Sequence, residues 1–208
     1  MSHHNWTVGT AAAIAAVVAV TLAYSPNGLA QKGDPDDSDS RIQRGFDIAP
    51  VHLDLKGKNR ALVGLGSYLV NGAGDCNGCH SGPLGEYADG GNPFLGQPKI
   101  VNQAAYLSGG TPRFGPVFIP RNLTPDKATG LPEGGATWQE FFETMRTGFD
   151  HDQAHAQISP LLQVMPWPNF QNMTDRDLRA IYEYLSAIPC LEGDPGLPHP
   201  RPIGTRCK

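Results

Sequence analysis

The 208-residue chain is short of charge. Lys, Arg, Asp and Glu make up 17% of it, and the balance at pH 7 is −4; about 25% is usual. Without a basic surplus to neutralise phosphates, the chain does not read as a nucleic-acid binder. It has only four cysteines, too few for a small disulfide scaffold. It has four methionines, so any role needing a thioether has few candidates. No stretch alternates apolar and polar residues as a half-buried strand does, and no segment repeats. What is abundant is glycine (25) and proline (19), about one residue in five, beside a hydrophobic fraction of 39%. That fraction excludes a wholly disordered chain, and the glycines are too aperiodic for collagen, which leaves a compact, loop-rich fold.

The first 30 residues hold no Asp, Glu, Lys or Arg, and Val8 to Tyr24 is an unbroken run of small and apolar side chains. Gly28 and Ala30 have signal-peptidase spacing, so residues 1–30 read as an export signal. An uncleaved anchor, with membrane association through residues 7–24, is the second reading, and a buried core helix the third. Export would place the body in the periplasm or on the outer face of the inner membrane, where thiols oxidise. Residues 31–40 (QKGDPDDSDS) are acidic and polar, the composition of a solvated linker. Through residue 58 the segment reads as extended, with Ile42, Phe46, Ile48, Val51, Leu53 and Leu55 draped on a domain spanning 59–189.

Three helices are expected. The first covers about Asn59 to Val70, with Leu62, Leu65, Tyr68 and Leu69 on one face. The second starts at Thr137, where Thr137 and Glu140 form a capping box, and ends at Gly148. The third starts at Thr174 with acids in its first turn and buries Leu178, Ile181, Leu185 and Ile188 before Pro189. Between Gly82 and Gly135 the chain reads mostly as loop. The fold class is therefore all-α.

Cys76-Asn77-Gly78-Cys79-His80 is C-x-x-C-H, the attachment motif of c-type haem. Two thiols three positions apart on a helical turn reach the two vinyl groups of a porphyrin, and the adjacent His points at the iron. Half a zinc site is a competing reading, although Cys190 and Cys207 are too far apart to form a second C-x-x-C. A thioredoxin-like dithiol is another, although the β-α-β surroundings are missing.

Met165 is the expected second axial ligand. Met1 is the start, Met145 follows Phe141 and Phe142 on an amphipathic helix, and Met173 precedes the Thr174 cap, where it can staple against Leu178. Met165 lies between Val164 and Pro166-Trp167-Pro168, a stiff loop well suited to present a thioether. His151 and His155 are rivals in a polar stretch; His52 and His199 lie near the ends. Cys190 and Cys207 read as a disulfide closing the tail 190–208.

Residues 60–189 resemble a mono-haem class I-type cytochrome c domain, and are similar to the cytochrome c subunits of membrane alcohol, aldehyde and sugar-acid dehydrogenases. The resemblance rests on Gly66-Ser67-Tyr68-Leu69, CNGCH, Arg121-Asn122-Leu123-Thr124-Pro125-Asp126 and Thr129-Gly130. It continues through Thr137-Trp138-Gln139-Glu140-Phe141-Phe142, Arg146-Thr147-Gly148, Met165-Pro166-Trp167 and Tyr182 to Pro189. It implies a cytochrome c fold of short helices and long loops around one covalent haem c, with Cys76, Cys79, His80 and Met165 as its binding residues. It also implies a crossing of first and last helices at Gly66 against Tyr182 or Tyr184. Those subunits often have three haem motifs; this chain has one.

The function expected is single-electron transfer between redox partners (a dehydrogenase, an oxidase or another cytochrome) rather than catalysis. Trp138, Trp167 and the loop between Gly82 and Gly135 are expected to bury the haem, and Arg113 and Arg121 to approach its propionates. The alternative is a peroxidase-like enzyme or ligand sensor with a displaceable sixth ligand, which needs distal acid/base groups such as His151 and His155. A subunit whose haem is mainly structural is a third reading.

Overall fold

The computed structural model describes residues 35–110, 118–151, 159–192 and 207. All of them belong to the unit Gly33–Lys208; the expected export signal lies outside the described residues. Among the described residues seven α-helices follow one another: α1 (Pro35–Ile48), α2 (Arg60–Tyr68), α3 (Cys76–His80), α4 (Pro132–Gly135), α5 (Trp138–Thr147), α6 (Trp167–Phe170) and α7 (Asp175–Leu185). Extended pairing among the described residues is limited to two isolated bridges, Tyr87 with Val101 and Phe149 with Leu161. The architecture is all-α. No helix among the described residues is long and apolar enough to cross a membrane.

The expected helix starts are where the side-chain chemistry put them. The Asn59 side chain accepts from the Leu62 N–H and opens α2. Thr137 and Glu140 close a reciprocal capping box on α5, and Gly148, at φ 73°, ends it. Thr174 accepts from the Asp177 N–H at the head of α7. Each such cap satisfies backbone donors that helix ends leave unpaired and is worth about 1 kcal/mol. Past Tyr68, α2 widens into a π-turn over Leu69–Ala73, an irregularity that delivers the chain to α3. The described residues of segment 82–135 are mostly loop, with short turns at Pro93–Leu95 and Gln103–Ala105 and α4 at its end.

Residues 35–48 depart from the expectation of a solvated linker, for they form the longest described helix. Proline at a first helical position and acids in the first turn suit a helix N-terminus as well as they suit a linker. Ile42 and Phe46, four positions apart, pack against the core as expected, but from a helix. A Cβ on Gly45 would stand 1.8 Å from the Gly64 carbonyl oxygen, so α1 and α2 cross with their backbones nearly touching. The Ser67 hydroxyl donates to the Gly45 carbonyl at 2.6 Å across that crossing.

The core lies between α2, α5 and α7. Val63, Leu65, Phe141, Leu178, Ile181 and Leu185 are all buried in it. α2 crosses α7 at Gly66, as the resemblance implied, and the surfaces that meet are the Ala180 carbonyl and Tyr184 Cβ. The tail is tied back by the Cys190–Cys207 disulfide, Cα–Cα 5.6 Å, across 17 positions. Closing a loop of that size lowers unfolded-state entropy by about 3 kcal/mol. Reduction, or replacement of both cysteines by serine, should lower the unfolding free energy by about that amount in denaturant titrations, with the absorption spectrum of the site unchanged.

Candidate functional site

α3 is a single turn. It starts from Asp75, whose backbone is left-handed at φ 45°, and it brings Cys76, Cys79 and His80 to the wall of one cavity of about 420 Å³. The rest of that wall is mainly apolar. Leu69 and Val70 come from the π-turn, Phe141 and Met145 from α5, Ile181 and Leu185 from α7. Two thiols and an imidazole thus face an apolar hollow.

His80 is fixed by its neighbours. Its Nδ1 lies 2.8 Å from the Arg121 carbonyl oxygen. A carbonyl only accepts, so Nδ1 bears the proton and Nε2 is the ring's lone-pair nitrogen. The Gly109 N–H donates to the His80 carbonyl at 2.7 Å, and the Leu107 N–H donates to Asn77 Oδ1 at 2.9 Å. Segment 107–110 therefore braces the motif from behind, and Arg121 braces the ring.

Burial pushes the Cys76 thiol up to about 12, and the neighbouring Asp75 charge adds to the rise. A redox-active dithiol needs the opposite, a thiolate stabilised near neutral pH. Among the described residues no group of three or more His, Cys, Asp or Glu is placed to hold a metal ion, so the zinc reading finds no ligand set there. A group tethered covalently through thioether bonds has no such requirement.

Met165 lines the same cavity. It precedes α6, whose first turn accommodates Pro168, so the prolines shape a one-turn helix here rather than excluding helix. Met145 and Met173, expected in the core, line the cavity too. Core and cavity wall are one surface, and periodicity alone does not separate them. His151 does not line the cavity; its Nε2 lies 3.2 Å from Glu143 Oε2 without hydrogen-bond geometry, and its ring meets Phe149 edge-on. His52 is exposed; His155 and His199 lie outside the described residues.

One expectation is corrected: neither Trp138 nor Trp167 lines the cavity. Arg121 does line it, and its guanidinium is held there by Asp150 at 2.5 Å and Glu133 at 3.7 Å. Arg113 lies outside the described residues. Trp138 packs under Arg179 and edge-on against Tyr182, and Trp167 lies on Gly148. The site is thus enclosed by aliphatic side chains and by Phe118, Phe141 and Phe170 rather than by the tryptophans, with loop residues Ile119, Pro120 and Leu123 in its wall.

One feature had no sequence signal. The Tyr106 hydroxyl donates to Asn71 Oδ1 at 2.5 Å and lies 2.7 Å from the Tyr184 hydroxyl, and the Asn71 amide donates to Tyr184 at 3.0 Å. Burial pushes both phenols above their ordinary range, so they stay neutral donors. This network ties the π-turn, α7 and loop 105–107 into one unit.

The chain is 33% identical over 128 residues to the gluconate 2-dehydrogenase cytochrome c subunit of Pantoea cypripedii, an alignment covering 61% of this chain and 23% of that protein. It is 33% identical over 124 residues to the cytochrome c subunit of the quinone alcohol dehydrogenase of Gluconacetobacter polyoxogenes, covering 60% and 21%. It is 29% identical over 129 residues to the fructose dehydrogenase cytochrome subunit of Gluconobacter japonicus, covering 61% and 21%. The chain thus spans about a fifth to a quarter of the length of these relatives. No protein-family model and no solved structure matches it. The all-α architecture is the cytochrome c fold, and the chain is similar to the cytochrome c subunits of gluconate, alcohol and fructose dehydrogenases.

Proposed function

We propose that this chain is an electron-carrying cytochrome. It tethers one haem through Cys76 and Cys79, ligates the iron with His80 and Met165, and passes single electrons between a dehydrogenase and an acceptor outside the cytoplasm. One observation carries the reading: His80 Nδ1 donates to the Arg121 carbonyl in the wall of an apolar cavity that Cys76, Cys79 and Met165 share. That hydrogen bond fixes the tautomer and raises the basicity of Nε2, as outer-shell partners of metal-binding histidines do.

When bound, the haem supplies a one-electron Fe(III)/Fe(II) couple. The chain does the rest. Leu69, Val70, Phe141, Ile181 and Leu185 exclude water, which disfavours the more charged ferric state and raises the potential. The Met165 thioether, a soft donor, acts in the same direction. His80 and Met165 would both hold the iron from the cavity wall, so no substrate would need to meet the metal and no proton donor would be required. The ligand-sensor alternative has less support, because His151, its described distal candidate, does not line the cavity.

The test is the absorption spectrum of protein exported with haem-attachment machinery. A covalent, low-spin haem with the weak near-infrared thioether–Fe(III) band is expected. A high-spin spectrum, or ready CO binding on reduction, would replace this reading with the enzyme or sensor one. Absence of covalent haem under competent conditions would remove it altogether.

A further inference from the structure

We propose that Gly109 is the spacer that sets the hydrogen bond on the axial histidine, and thereby a positioning residue for the redox centre. The inference rests on the haem reading above. Gly109 contacts both residues of the His80–Arg121 bond, the backbone of His80 and the carbonyl of Arg121. Its N–H donates to the His80 carbonyl at 2.7 Å. On its other side, a Cβ would stand 2.5 Å from both the carbonyl carbon and the carbonyl oxygen of Arg121, and 2.6 Å from the Asn122 nitrogen. That oxygen is the one that receives His80 Nδ1–H. The contact is backbone against backbone, so no side chain can swing away to relieve it.

The surroundings hold the Arg121 peptide in place. The Gly110 N–H donates to the Pro120 carbonyl at 2.9 Å, and the Leu123 N–H donates to the Leu107 carbonyl at 2.9 Å. These two rungs flank the Gly109–Arg121 contact and stitch segment 107–110 to 120–123. With a Cβ at 109, the peptide between the rungs must tilt away, and the carbonyl leaves the imidazole. A displacement of about 0.5–1 Å takes a 2.8 Å bond beyond hydrogen-bond range. Glycine is required twice, because the residue is also left-handed at φ 62°.

The chemical consequence has a sign. An imidazole that donates Nδ1–H to a carbonyl is a more basic, more electron-rich ligand through Nε2, which favours ferric iron. Weakening that donation favours ferrous iron. The arrangement therefore lowers the potential, against the opposing push of Met165 and the apolar wall.

The experiment compares the reduction potentials of the haem-loaded wild type, Gly109→Ala and Gly96→Ala. Gly96 is the control: it is also left-handed, at φ 73°, but a Cβ there meets nothing within 4 Å. Gly109→Ala should raise the reduced-to-oxidised ratio at fixed poise about tenfold, the low end of what losing an outer-shell partner costs, or 59 mV upward for one electron. Gly96→Ala should leave it unchanged although it also strains a left-handed residue. Equal potentials for all three, with the low-spin spectrum intact, would overturn the inference and leave the haem reading standing. A wild type without a low-spin, histidine-ligated haem would overturn that reading instead. If Gly109→Ala does not accumulate, proton NMR of the reduced wild type decides. A slowly exchanging His80 Nδ1–H with cross-relaxation to the Gly109 α-protons is expected, and a fast-exchanging proton lacking that contact refutes the proposal.

Discussion

Replacing Met165 by alanine is expected to abolish the near-infrared thioether–Fe(III) band, convert the ferric spectrum toward high spin and let the reduced protein bind CO. The potential should fall by on the order of 0.1 V or more, within the ~0.8 V range over which axial ligands set haem potentials. The direction follows from ligand softness. A thioether stabilises ferrous iron relative to ferric, and water or hydroxide in its place does not. The controls are what give the variant its force, because Met145 and Met173 also face the cavity. Met145 is buried among the core side chains of α5, and Met173 directly precedes the Thr174 cap of α7. Met145→Leu and Met173→Leu should therefore keep the band and the potential, losing less than about 1.5 kcal/mol of stability as near-isosteric core changes do. If Met165→Ala keeps the band while either leucine variant abolishes it, the ligand has been misassigned, although the electron-carrier reading survives. If all three keep it, a fourth ligand outside the described residues must be sought.

The parts of this molecule governed by local chemistry were legible in the sequence. Asn59, Thr137 and Thr174 head their helices because a side-chain oxygen reaches a nearby N–H, an interaction spanning two or three positions. The stripe Leu178, Ile181, Leu185 and Ile188 is buried because period 3.6 places one face inward. C-x-x-C-H was legible for the same reason: its spacing is its geometry. Residues 35–48 misled because polar, acidic and proline-containing composition serves a linker and a helix N-terminus alike. What was not legible is what closes over long separations. The His80–Arg121 bond spans 41 positions and the Tyr106–Tyr184 contact 78. Both depend on backbone of loop 105–110, where Leu107 and Gly109 are left-handed, and no hydrophobic period encodes such a path. The choice of ligand among three methionines failed to separate on geometry for a related reason: the cavity wall and the core are the same apolar surface, so burial is common to both roles.

The Gly66→Ala variant sets two physical effects against each other. Helix propensity predicts a gain, since alanine is favoured over glycine in a helix interior by about 1 kcal/mol. Packing predicts a loss. The added Cβ would lie 2.0 Å from the Ala180 carbonyl oxygen, 2.6 Å from its carbon and 2.7 Å from Tyr184 Cβ, and the first two atoms are helix backbone. α2 and α7 must separate by about an ångström to restore ordinary contact, an overpacking that costs about 3 kcal/mol. Separation also pulls on the Asn71–Tyr184 and Tyr106–Tyr184 bonds, and a buried phenol losing its partner costs about 1–3 kcal/mol more. The loss wins, so a net destabilisation of about 3–5 kcal/mol is expected against a total stability of order 5–15 kcal/mol. Urea titration reads it directly, and a variant as stable as the wild type would mean the two helices do not meet at this residue. The crossing also matters for the site. Leu69 and Val70 beyond α2, with Ile181 and Leu185 on α7, line the cavity from its two sides. Prising the helices apart opens that wall, so the variant that does fold should admit water and show a lowered reduction potential along with its lower midpoint.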